Sequence, residues 1–395
     1  MDEIDPTNFF QWQKDSRQWS NFFIVVFLVV SLAWLGILYL GLNYFTKKIT
    51  ENAPPRYGRL ASAKRAELLP GFIHLPYEKK IFGPKLALLA FIIFTIGCSV
   101  RRALIIKRNG SSYFTTALGG IPLGETESVL GTPAGEARER VLRHVVAEMS
   151  LAAGLPSPDI YILPLEKGIN AMAVGLGPDD AAIMITRGAL KYLSREELSG
   201  LIGHELSHII NGDMRHNTLM AGWLDGFFSL TAMGVFVIRA GGPRNLLLIP
   251  VGLFLLALGY LGEIAGKIIQ AAFNRRRESM ADAYSVQFTR DPACLAGVLK
   301  KIGGSDEGSY IQEKKKLELD CRHLFIAESD VSFFATHPPL AHRVWALEPN
   351  WDGYWADFEK NPVDYLQEDQ LPTPTLEPEK KIPWWRKIFK FNWPS

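Results

Sequence analysis

Cysteine is scarce in this chain. Cys98, Cys294 and Cys321 are the three in 395 residues, an odd number without the close spacing of a thiolate metal site. No disulfide framework follows, and a reducing compartment is allowed. An excess of one charge is lacking too. Lys and Arg number 43 against 41 Asp and Glu, so nothing marks nucleic acid as a main partner. Asp2, Glu3 and Asp5 stand where a cleavable signal carries basic residues. The glycine-rich stretch Gly119-Gly120-Ile121-Pro122-Leu123-Gly124 lacks the lysine and spacing of a phosphate loop and reads as a turn.

Long apolar runs, by contrast, are present and unevenly spread. Phe22 to Phe45 carries no charge and is long enough to cross a bilayer as a helix. Leu86 to Val100 is shorter and bracketed by Lys85, Arg101 and Arg102. It spans only if those charges snorkel, so a re-entrant or interfacial placement stays open. Thr218 to Ile238 is apolar apart from Asp225, and Leu246 to Gly262 is apolar throughout. The turn residues Arg239 to Asn245 between them make a helical hairpin. Two buried helices of a soluble domain are the competing reading, but Leu246 to Leu256 is greasier than a core needs.

Gly203-His204-Glu205-Leu206-Ser207-His208 precedes that hairpin. On a helix, residues four apart share a face, so His204 and His208 can ligate one metal ion. Glu205 then lies beside the metal, where a base can take a proton from a water. Ser194 with Glu197 three residues on is a helix-start signature. His208 precedes the Gly241-Gly242 turn by about as many residues as Glu278 follows it. At roughly 1.5 Å of rise per residue both legs return about 50 Å from the tip, at similar height. Glu278 and Asp282 are again four apart, the first placed to ligate and the second to hold a ligand histidine's free N–H. Spacing alone leaves the Glu278 assignment even with its alternative. Arg275 to Arg277 are either a solvated face near the membrane or part of the site.

Elsewhere, Glu136 to Ala153 has an amphipathic helix pattern. Ile160 to Leu163, Ala171 to Val174 and Ala182 to Ile185 are short strands of a small sheet against the metal helix. Asn170-Ala171-Met172-Ala173 is the candidate edge for pairing with an extended peptide, or else an ordinary internal strand. His337, stiffened by Pro338 and Pro339, is placed to donate to an oxyanion or to cap a helix, and His342 reads as surface. Glu368 to Glu379 is rich in Pro and Glu. The basic, aromatic stretch Lys380 to Phe391 suits an anionic membrane surface better than nucleic acid.

Together these motifs resemble the HtpX-type integral-membrane zinc endopeptidases, relatives of the CAAX prenyl endopeptidases. The likeness covers roughly Ala134 to Gly353. It rests on His204 to His208 with Asn211-Gly212-Asp213, on Ala153 to Asp159, on Asn170 to Ala173, on Glu278 with Ala281-Asp282, and on Thr336 to Pro339. Met172 and Asn274 depart from the family's usual Phe and Ser. The resemblance implies an α+β fold: a mainly helical zincin-like (gluzincin) catalytic domain with a small sheet, fused to about four transmembrane helices. It implies one zinc held by His204, His208 and Glu278, Glu205 as general base, His337 as stabiliser of the intermediate, and Asp282 behind a ligand. The substrates it implies are unfolded or damaged membrane polypeptides.

The organisation expected is a membrane region over 1–108, a linker over 109–133, and a peptidase domain in two parts, 134–216 and 271–367. The hairpin, 217–270, interrupts that domain, and a basic-aromatic tail, 368–395, follows it. A non-catalytic membrane module, its zinc closed by a fourth ligand such as His337, is the alternative. Counting ligands separates the two. Basic residues flank both sides of the apolar segments, so the charge rule does not decide orientation. The resemblance and the basic tail place the catalytic domain in the cytoplasm, on a bacterial inner membrane. The sequence carries no sign of oligomeric state.

Overall fold

The computed structural model describes residues 9–51, 82–109, 118–124, 128–175, 177–241, 248–305, 308 and 337–355. The basic loop between the first two apolar segments, the centre of the hairpin turn, Cys321, Thr336 and the 368–395 tail lie outside them. The chain divides into two compact units. One is drawn from the described residues within Met1–Val25, Val100–Ala221 and Lys267–Pro378, the other from those within Val26–Ser99 and Gly222–Gly266.

In the second unit, helices α1 (Phe9–Glu51) and α2 (Phe82–Asn109) contribute their apolar stretches. So do two further helices, Asp213–Gly241 and Leu248–Thr289. Leu38, Leu230, Leu255 and Leu258 form its buried centre, and the Trp34 indole donates to the Leu258 carbonyl at 2.8 Å. Leu32 and Leu40 are 68% exposed and Phe236 is 62% exposed. Such outward apolar faces belong against lipid rather than water. Three described helices are long and apolar enough to cross a membrane, where the sequence led us to expect about four. The second segment lies on α2, where the apolar stretch with described side chains is Leu88–Gly97.

The first unit holds the sheet and the site. Its elements in order are β1 (Ile121–Pro122), α3 (Pro133–Ala153), β2 (Asp159–Leu163), β3 (Ala171–Val174), β4 (Ala182–Thr186), α4 (Arg187–Tyr192) and α5 (Arg195–Ile210). The helix Asp213–Gly241 (α6) begins here, and α7 (Leu248–Thr289) ends here before α8 (Pro292–Gly304) and α9 (Leu340–Leu347). The three expected strands are present. The sheet order is β1-β2-β4-β3, with β4 parallel to β2 and antiparallel to β3. The stretch read as a turn supplies β1, which pairs Ile121 with Ile162. A proline is tolerated there because β1 is an edge strand with no ladder bond to lose on its outer side.

Thr132 starts α3 by accepting from the Gly135 amide, with Pro133 in the first turn. Ser194 and Glu197 close a reciprocal cap on α5: the Glu197 amide donates to Ser194 Oγ at 3.1 Å and the Ser194 amide to Glu197 Oε2 at 2.6 Å. Leu198, Leu201, Ile202 and Leu206 of α5 pack into one core with Leu142 and Val145 of α3, Ile183 and Ile185 of β4, and Leu295 and Leu299 of α8. A side chain at Gly200 would stand 2.7 Å from the Cys294 carbonyl carbon and the Leu295 nitrogen. Helix α8 therefore reaches the backbone of α5 only because residue 200 has no Cβ. Ser285 of α7 donates to the Gly200 carbonyl at 2.6 Å. Two neighbouring helices thus grip the first half of α5 at Gly200.

Candidate metal centre

With its first half held in this way, α5 presents His204, Glu205 and His208 one to two turns further along. Helix α7 is continuous through its apolar half to Glu278 and Asp282, so the expected return of a distant acid is met by one unbroken helix. The two imidazole Nε2 atoms lie 3.3 Å apart. Glu278 Oε2 is 3.5 Å from His204 Nε2, and Oε1 is 3.6 Å from His208 Nε2. One ligand atom from each residue falls within 4.8 Å of the others. Ligand atoms about 2.0–2.1 Å from a tetrahedral zinc stand roughly 3.3–3.4 Å apart, so the triangle fits that ion.

Charge makes the same point. Glu205, Glu278, Asp282 and Asp213 are buried close to two buried guanidiniums, Arg277 and Arg343. With neutral histidines a dication brings this group to neutrality. Without one, protons are drawn in. Burial alone would lower the His204 imidazole, but hydrogen bonds to Asp282 and Glu278 overcome it and it is pushed up to about 9. His208 is raised as well, against burial, by Asp213 and Glu278.

Each histidine meets a carboxylate through the nitrogen that faces away from the triangle. His204 Nδ1 is 3.0 Å from Asp282 Oδ1, and His208 Nδ1 is 2.8 Å from Asp213 Oδ2. Arg343 donates to Asp282 through Nε at 2.9 Å and Nη2 at 2.6 Å, and its Nη1 is 3.4 Å from Glu278 Oε2. Arg277 pairs with Asp213. Sequence reasoning placed Asp282 behind a histidine but gave no role to Asp213 or Arg343, and left Arg277 undecided. The available signals were weak: Asp213 follows His208 by five residues across a turn, and Arg343 follows His337 by six.

Glu205 is 2% exposed. Burial pushes its carboxyl up; the two imidazoles, and a hydrogen bond with the Ala173 backbone, pull it back. Ala173 belongs to β3, the last strand in the sheet order, which packs against α5. Asn170, Ala171, Met172 and Ala173 are all buried; the Thr186 amide of β4 donates to the Asn170 carbonyl, and the Asn170 amide donates to Thr186 Oγ1. His337 is buried with Nδ1 3.2 Å from Glu278 Oε2. It does not cap α9, whose N-cap position is Pro339. His342 is exposed against the Trp345 ring.

A helix-borne His-Glu-x-x-His pair met by a glutamate from a second helix is the ligand arrangement of the gluzincin class of peptidases. Residues 136–350 match Peptidase family M48. The chain is 34% identical over 212 residues to a Protease HtpX homolog of Streptococcus uberis, covering 52% of this chain and 71% of that one. It is 36% identical over 231 residues to a Protease HtpX homolog of Caldanaerobacter subterraneus, covering 56% and 75%. The crystal structure of S. mikatae Ste24p aligns over 86% of this chain and 89% of that one, at 15% identity and a TM-score of 0.34, too loose a likeness to bear on this chain. The chain belongs to peptidase family M48, among its HtpX-like proteases. It is a membrane-associated protease that acts on polypeptides, and its family implies a metal cofactor.

Proposed function

We propose that the protein is a zinc-dependent endopeptidase of a bacterial inner membrane, with its catalytic part in the cytoplasm, cleaving unfolded or damaged membrane proteins. The observation that carries the metal reading is the His204, His208 and Glu278 triangle, closed within 4.8 Å beside a buried Glu205. His337 is outside that ligand set, which supports an open site over a closed structural one. The substrate class and the orientation rest on the likeness to the HtpX-type peptidases.

His204, His208 and Glu278 would hold the zinc, which would supply Lewis acidity at the scissile carbonyl. Glu205 takes a proton from the attacking water onto its carboxylate and delivers it to the leaving amine nitrogen. Its burial keeps the carboxylate basic enough for that exchange. His337 donates from its imidazole to the developing oxyanion. Asp282 holds a proton on His204 Nδ1 and so leaves Nε2 free to ligate. The substrate main chain pairs along Asn170 to Ala173, which gives binding with little sequence preference.

The test compares detergent-purified wild type with Glu205→Gln by metal analysis and casein cleavage. Retained zinc with lost cleavage is the expected result. Normal cleavage by the pure variant removes Glu205 as the base, and a wild type free of zinc removes the metal reading.

A further inference from the structure

His204 and His208 are held differently by the backbone. His204 lies mid-helix, whereas His208 stands in the last turn of α5, which ends at Ile210. Its side chain is 16% exposed where that of His204 is 0%. A ligand at a helix terminus needs another constraint to keep its ring in place.

The chain supplies one immediately. After Asn211, Gly212 adopts φ 66°, a left-handed turn that glycine accepts without strain. The turn ends α5 and starts α6 at Asp213, bringing that carboxylate back to 2.8 Å from His208 Nδ1. An ionised carboxylate only accepts, so the proton stays on Nδ1 and the Nε2 lone pair faces Glu278. Asp213 is 3% exposed and would be costly to bury alone. Its second oxygen meets Arg277, the residue just before Glu278 on α7. The same guanidinium donates to the Asn211 carbonyl at 2.9 Å, an end-of-helix acceptor. One arginine therefore binds both the turn and the carboxylate behind His208, from the helix that also carries Glu278.

We infer that Asp213 and Arg277 are a positioning pair: Asp213 fixes the tautomer and ring angle of His208, and Arg277 fixes Asp213 to the Glu278 helix. The inference rests on the metal reading above. An Arg–Asp–His chain then stands behind each ligand histidine, through Arg343 and Asp282 for His204 and through Arg277 and Asp213 for His208.

The experiment uses the full chain in detergent and measures zinc affinity by competition with a fluorescent chelator. Thermal unfolding of the chelator-stripped protein is read alongside. Asp213→Ala is expected to weaken zinc binding roughly 10–100-fold, the usual effect of removing a hydrogen-bond partner from a ligand. Because that change strands a buried guanidinium, the double variant Asp213→Asn/Arg277→Met is made too. It removes both charges together and is expected to fold, with weaker zinc binding and an altered cobalt absorption spectrum. If the double variant folds and binds zinc as tightly as wild type with the same cobalt spectrum, the pair is merely structural and the inference fails. If the wild type takes up no zinc, the metal reading fails and this inference with it.

Discussion

Arg343 gives the sharpest quantitative test. Arg343 is 3% exposed, as is Asp282, whose carboxylate it grips with two hydrogen bonds of 2.9 and 2.6 Å. Arg343→Met keeps much of the apolar stem volume but strands Asp282 in the interior. Removing one partner of a buried pair costs about 3–5 kcal/mol, more than the pair contributes over a neutral replacement. Asp282 retains its contact with His204 Nδ1 at 3.0 Å, so the cost should fall near 3 kcal/mol. Asp282→Asn strands the arginine instead, at a similar order of cost. In Arg343→Met/Asp282→Asn neither charge remains. The double variant should therefore be more stable than the sum of the singles predicts, by about 1–3 kcal/mol. The assay is denaturant-induced unfolding in detergent with chelator present, which removes the linkage to zinc binding. Additivity within about 0.5 kcal/mol would refute the idea that the two charges depend on each other.

Four shorter tests follow. Gly200→Ala gains about 1 kcal/mol of helix propensity but forces backbone contacts of 2.7 Å apart. Overpacking of that kind costs about 1–3 kcal/mol, so a lower unfolding temperature is expected and a raised one would contradict the packing described. Cys294 is buried, and burial followed by the neighbouring Asp291 pushes its thiol up to about 11. In a Cys98→Ser/Cys321→Ser background it should resist maleimide at pH 8 until the protein is unfolded; rapid labelling of folded protein would be the contrary result. Asp291 caps α8 through the Ala293 amide at 2.9 Å, so Asp291→Ala should cost about 1 kcal/mol in the same unfolding assay. For orientation, a protease added to intact cells should spare Glu368 to Glu379 and should cut there once the cells are opened. Cleavage in intact cells would put the catalytic part outside.

Local rules made α5 readable: a four-residue spacing, a capping pair and an apolar face are all written within 17 residues of one another. Glu278 was reachable because a hairpin fixes where its second leg returns. Arg343 and Asp213 were not readable as partners of the histidines, since ion pairing between separate elements leaves no periodic trace. Strand β1 escaped notice for a different reason. Two residues cannot show alternation, and a Gly-Gly-x-Pro stretch carries turn chemistry whether or not it pairs.

The contact at Gly200 has an evolutionary consequence. What meets it from α8 is main chain, the carbonyl of Cys294 and the nitrogen of Leu295, and every amino acid offers those same atoms. The residues at 294 and 295 can therefore drift as far as the core allows without disturbing the spacing between the two helices. Variation is forbidden instead at the one partner with nothing to vary, so the seat of the ligand helix is guarded by an absent side chain.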